Sequence, residues 1–166
     1  MNPSPSTYFI LAGLLLLSAC NLGVAAPTDS AMQEVAIYAY DPAQDLDDQG
    51  NILCSAAGLV ALPRTVEAGL TGELRLRAVV EMQLSGGLTE EELGRGLTTE
   101  FPLEGVELVD ASLEGGRATI TLLDPQFRTS GGACGVGILR GQVEAAVGQL
   151  PGVSQVHLVP ETLFQP

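Results

Sequence analysis

Apolar and polar positions alternate along some stretches of the chain and recur at helical spacing along others. Val35 to Tyr40 (VAIYAY) alternates two faces in β-branched and aromatic residues and stops at Asp41-Pro42, which predicts a strand. Ile52 to Cys54 and Gly58 to Val66 read as extended, with Pro63 putting the second piece at a sheet edge or bend. In Thr71 to Leu84, apolar residues fall at Leu74, Ala78 and Met82 and again at Leu76, Val80 and Leu84. That broad stripe predicts a helix buried over much of its circumference and ended by Gly86-Gly87. Thr89, followed three residues later by Glu92, carries the capping-box signature of a short helix to Leu93.

Val106 to Leu113 and Arg117 to Leu123 flank Glu114-Gly115-Gly116, and Ala118, Ile120 and Leu122 alternate with Thr119 and Thr121, the pattern of a β-hairpin. From Val136 onward, Leu139, Val143, Ala146, Val147 and Leu150 fall on one narrow helical arc, which Pro151-Gly152 terminates. A last strand, Val153 to Val159, points Val156 and Leu158 inward and His157 outward. The order strand, strand, helix, hairpin, helix, strand implies an α+β fold in a single domain. Its core is one mainly antiparallel or mixed β-sheet with two main helices packed on one face.

Ahead of the folded part, Tyr8 to Ala19 is an apolar run of signal-peptide length, well short of the roughly 20 residues a spanning helix needs. It ends Leu17-Ser18-Ala19-Cys20, which resembles the lipobox of bacterial lipoproteins. That resemblance implies cleavage before Cys20, lipidation of its thiol and acylation of the new N-terminus, since stable anchoring takes more than one chain. An ordinary cleaved secretory signal is the alternative, and either exports the domain. Asn21 to Gln33 is small and polar, with a Pro and no periodicity, and reads as a tether.

Composition adds exclusions more than chemistry. The 166 residues are 46% hydrophobic and 16% charged, too apolar for disorder and enough for one core. Seven basic residues, all Arg, against 20 acidic ones leave a net charge of −13, which excludes nucleic acid as an expected partner. With Cys20 on lipid, Cys54 and Cys134 remain as a pair in an oxidising compartment, either a disulfide or two buried thiols.

Candidate sites are few. Asp45, Asp47 and Gln49, ahead of Gly50, have part of the oxygen spacing of a calcium loop, but Ala56 stands where the bidentate Glu belongs. Ser130 to Gly135 lacks the Lys-Ser/Thr of a phosphate loop and reads as a flexible segment positioning Cys134. His157, the one histidine, gives Cys134 no convincing catalytic partner, so no catalytic residue and no cofactor is expected. Glu90, Glu91 and Glu92 read as a solvated helix start.

Taken in order, several segments resemble the GerMN domain of sporulation and spore-germination proteins. They include Tyr40-Asp41-Pro42, Leu53-Cys54-Ser55, Pro63-Arg64-Thr65-Val66, Thr89-Glu90-Glu91-Glu92, Gly96-Leu97-Thr98-Thr99, the hairpin Val106 to Leu123, Gly131 to Cys134 and Leu150-Pro151-Gly152-Val153. The resemblance implies a fold like the ring-building modules of secretion and sporulation machinery, and no catalytic role. The expected organisation is a lipoprotein signal peptide at 1–19, the lipidated Cys20 and tether at 20–33, a GerMN domain at 34–160 and a tail at 161–166. The expected function is an exported, membrane-anchored envelope lipoprotein that binds or assembles other envelope proteins, self-association included. A calcium- or solute-binding lipoprotein is the alternative.

Overall fold

A computed structural model describes residues 32–166. Strand β1 (Met32–Tyr40) pairs antiparallel with β2 (Leu59–Glu67), in a register running from Met32 opposite Glu67 to Tyr40 opposite Leu59. Helices α1 (Gly72–Leu84) and α2 (Glu90–Gly94) follow. Strands β3 (Glu107–Glu114) and β4 (Arg117–Leu123) make an antiparallel hairpin, α3 (Ala133–Gly148) crosses over, and β5 (Gln155–Val159) returns parallel to β4.

The fold is α+β, as the order of elements predicts, but the strands divide into a two-stranded and a three-stranded sheet instead of forming one. The reason lies on the second edge of β1, where side-chain amides occupy the places a further strand would take. The Gln83 amide of α1 accepts from the Tyr38 N–H at 2.7 Å and donates to the Tyr38 carbonyl at 3.0 Å. Gln142 of α3 donates to the same carbonyl at 2.9 Å. Gln149 brackets Ala36 in the same way, at 3.0 and 2.6 Å. Beyond them, Tyr40 exchanges two backbone bonds of 2.8 Å with Thr98.

Because β1 bonds to helix side chains, α1 and α3 do not lie on one face of a single sheet. They pack on each other, and each touches both sheets. The main core joins Leu76, Val79 and Val80 of α1 to Ala118, Ile120 and Leu122 of β4 and to the α3 stripe. Every residue of that predicted stripe, Val136, Leu139, Val143, Ala146, Val147 and Leu150, is buried. On α1 the stripe is narrower than the spacing predicts, since Leu74 is exposed. A smaller core gathers Ile37, Ala39, Leu62 and Leu97.

Local chemistry sets the joints. The Thr89 hydroxyl accepts the Glu92 N–H and the Glu92 carboxylate accepts the Thr89 N–H, so the predicted capping box is present at α2. Gly115 and Gly116 both take positive φ, as the tight turn of the β3–β4 hairpin requires. Gly86 ends α1 at φ +64°, where a Cβ would run into the Phe101 carbonyl.

Several boundaries differ from expectation. Met32 and Gln33, expected in the tether, already pair with Glu67 and Val66. Ile52 to Cys54 is not a strand: Ile52 makes one bridge, to Leu46, and Cys54 turns at φ +55°. Residues 161–166, expected as a tail, fold back, and Leu163 and Phe164 are buried in the main core. The expected signal peptide at 1–19, the expected lipidation site Cys20 and most of the expected tether lie outside the described residues.

One ion pair reaches across elements with little exposure. Arg64 of β2 donates to both Glu92 oxygens, at 2.9 and 2.7 Å, and to the Gly87 carbonyl. The Arg64 bond, against the effect of burial and aided by the Thr89 N–H, lowers the Glu92 pKa from 4.5 to about 2. Stability from this depressed carboxylate is present above pH 4.5 and is lost as pH falls toward 2.

Two outcomes are expected. Gln83→Leu leaves the half-buried Tyr38 N–H without an acceptor and lowers unfolding free energy in urea by about 1–3 kcal/mol, whereas Gln149→Leu, at an exposed position where water substitutes, costs under about 1 kcal/mol. Glu92→Gln lowers stability by about 1–2 kcal/mol at neutral pH, and its difference from the parent closes between pH 4.5 and 2 in acid titrations of stability.

Candidate functional site

Two sheets of two and three strands have four outer edges, and three are closed by different means. The second edge of β1 carries the glutamine amides and Thr98. On β2, Pro63 stands opposite Ala36, whose N–H and C=O turn away from β2 toward Gln149. In an antiparallel pair this puts the Pro63 nitrogen on the outer edge, where it has no hydrogen to offer an incoming strand. The expectation that Pro63 marks a sheet edge therefore holds. On β3 the register slips between Leu108 and Asp110, and Arg77 of α1 reaches both the Val109 carbonyl and the Asp110 carboxylate. A bulge with a charge laid over it blunts an edge against further pairing.

The outer edge of β5 has no such device among the described residues. The Gln155 N–H bonds to the Gly116 carbonyl, so alternation turns His157 and Val159 toward β4 as well. The N–H and C=O groups of Val156 and Leu158 are left facing outward. Clefts of about 420 and 320 Å³ flank the strand, both touching Val156 and His157. The first is bounded by Arg117 and Glu144 and the second by Arg140 and Glu161. Arg140 and Glu144 are themselves paired one turn apart on α3, at 2.7 Å. His157 is half-buried beside the strand edge, where outward exposure was expected.

The acidic segment before β2 forms a second structured feature. Asp45 is 1% exposed, and its carboxylate accepts from the Tyr40 hydroxyl, the Ser55 N–H and the Ser55 hydroxyl. The Ser55 and Tyr40 bonds hold it below the usual carboxylate range, while burial and the bond to Asp45 push the Tyr40 phenol up to about 12. Asp47 accepts from the N–H groups of Gln49 and Asn51 and from the Asn51 amide. The three residues read from the sequence as a weak calcium loop, Asp45, Asp47 and Gln49, therefore do not converge: Asp45 points inward and Asp47 caps its own turn. Among the described residues, no group of three His, Cys, Asp or Glu side chains could hold a metal ion.

Cys54 and Cys134 are joined in a disulfide that fastens this segment to the first turn of α3. The bond removes the Cys134 thiol and gives the Ser130 to Gly135 loop its role, delivering Cys134 to Cys54. The sequence reading missed Gln83 and Gln142. The available signal was a glutamine inside each apolar stripe, Gln83 at helical spacing from Val79 and Val80, and Gln142 from Ile138 and Leu139.

No family model matches the chain, and no curated protein matches it. Among solved structures, the tandem GerMN domains of the sporulation protein GerM from Bacillus subtilis superpose with a TM-score of 0.51 at 16% sequence identity. The match covers 86% of this chain and 44% of that one, so this chain spans less than half of the solved relative. At that identity the likeness shows the fold, which is the α+β fold of a GerMN domain.

The disulfide closes a loop of 80 residues. Cys54→Ser, or reduction, is expected to lower unfolding free energy by about 2–4 kcal/mol in urea titrations.

Proposed function

We propose that this chain is a membrane-anchored, non-catalytic binding module of the bacterial envelope that takes up an extended segment of a partner protein along β5. The observation that carries this reading is the contrast between edges: three carry amides, a proline or a bulge that oppose further pairing, and among the described residues the fourth carries none. An added strand would find outward N–H and C=O groups on Val156 and Leu158, and side-chain clefts on either side of the strand. Strand addition of this kind draws affinity from main-chain bonds and specificity from the pockets for alternate side chains.

Export and anchoring rest on the apolar run and Leu17-Ser18-Ala19-Cys20, with the disulfide as a supporting mark of an oxidising compartment. The solved relative carries its GerMN domains in tandem, which makes a second copy of this domain a natural occupant of the edge alongside other envelope proteins. On the fold-level analogy, the process served is that of sporulation or germination.

The test is a crosslinked pull-down from native membranes, with the lipid mass on the bait measured first. Val156→Pro and Leu158→Pro each remove one outward N–H without touching the β4 ladder. Each is expected to abolish capture of a reproducible partner set while the lipid mass stays as in the parent; because both side chains also pack against the main core, Val156→Ala and Leu158→Ala, which lose the same packing but keep the N–H, are expected to retain capture. Cys20→Ala is expected to remove both the lipid and the partners. Undiminished capture by both proline variants would sink the strand-addition reading, and a bait without lipid would sink the anchoring.

A further inference from the structure

The segment from Asp45 to Leu53 is a small hairpin with its polarity turned inside out. Asp47 N–H bonds to the Asn51 carbonyl and Leu53 N–H to the Asp45 carbonyl, both at 2.9 Å, with Gly50 at φ +83° closing the turn. Leu46 and Ile52 face each other across it as a cross-strand pair, so their side chains share one face. The carboxylate of Asp45 is buried, whereas Leu46, Ile52 and Leu53 are 46%, 51% and 56% exposed.

Nothing about loop chemistry demands this inversion. A mobile loop would fold its leucines back and leave its aspartates in water. Here the inward place goes to Asp45, locked by Tyr40 and Ser55, the Asp47 bonds stiffen the turn, and the disulfide pins the base through Cys54. The framework holds an apolar pair out in solvent at no further ordering cost, the condition for a preorganised docking surface.

Charge decides what kind of partner fits. Asp47 and Asp48 stand in the turn that closes the hairpin beyond the apolar pair, Asp48 exposed, and the hairpin itself carries no Lys or Arg. We propose that the Leu46–Ile52 face of this hairpin is a docking surface for a basic, apolar segment of a partner protein, separate from the β5 edge. A second copy of this chain, at −13, is repelled overall by such a surface. The acidic rim likewise disfavours an anionic lipid surface.

The experiment uses the full-length protein in neutral detergent and a fluorescent peptide with leucine on one helical face and lysine on the other. Its control is the same peptide with glutamate for lysine. The lysine peptide is expected to bind with salt-sensitive affinity, and the glutamate peptide is not. Leu46→Ser/Ile52→Ser should weaken binding at least tenfold, and Asp48→Asn should weaken it a few-fold and flatten the salt dependence. Both changes lie on exposed side chains, and an unchanged melting temperature separates lost docking from lost folding. Val156→Pro should bind the peptide as the parent does, which separates this surface from β5. Equal affinity for parent and double variant would overturn the proposal. So would loss of binding to vesicles of phosphatidylcholine with 30% phosphatidylglycerol in the double variant when no peptide binding is seen.

Discussion

The architecture depends on a substitution of one kind of amide for another. Strand β1 has a partner strand on one edge and glutamine side chains on the other, and those amides come from two helices that are 59 residues apart at Gln83 and Gln142. A side-chain amide offers the same donor and acceptor as a peptide group, so it satisfies a buried strand edge without extending the sheet. The consequence is mechanical as well as energetic. The two-stranded sheet is bound to α1 and α3 by directional bonds at Tyr38, and apolar packing alone would let it slide.

Around that joint the remaining polar interactions act as latches. Arg64 and Glu92 clip β2 to the start of α2, and the disulfide clips the Asp45 hairpin to the start of α3. Neither lies in the main core, and both tie a segment that few apolar contacts would otherwise hold. A chain with only seven cations uses them sparingly: three are in ion pairs, Arg64 across elements, Arg77 on α1 and β3, and Arg140 within α3. The balance of the acidic surface is left uncompensated, which favours solubility and basic partners.

A binding module of the proposed kind must leave a docking surface open. The outer edges of β1, β2 and β3 each carry a device against further pairing, and among the described residues the edge of β5 carries none. The exposed leucine and isoleucine of the hairpin are likewise left open, with a rigid polar framework behind them. Two surfaces of different chemistry, one offering backbone bonds and the other an acidic apolar face, would let the proposed module join two partners at once.

Much of the fold was legible along the chain. Helical spacing identified α1 and α3, the Thr89–Glu92 pair identified α2, and Gly115-Gly116 identified the hairpin, because each signal is local and a few residues suffice to produce it. Pro63 announced an edge for the same reason. What the sequence could not determine was which strands share a sheet, since that depends on Gln83 and Gln142 meeting Tyr38 from helices far away in the chain. Nor could it determine that Asp45 turns inward while Leu46 and Ile52 turn out. Local composition there reads as a solvated acidic loop, and only Tyr40, Ser55 and the bond from Cys54 to Cys134, brought together by the tertiary fold, reverse the usual order of polar and apolar.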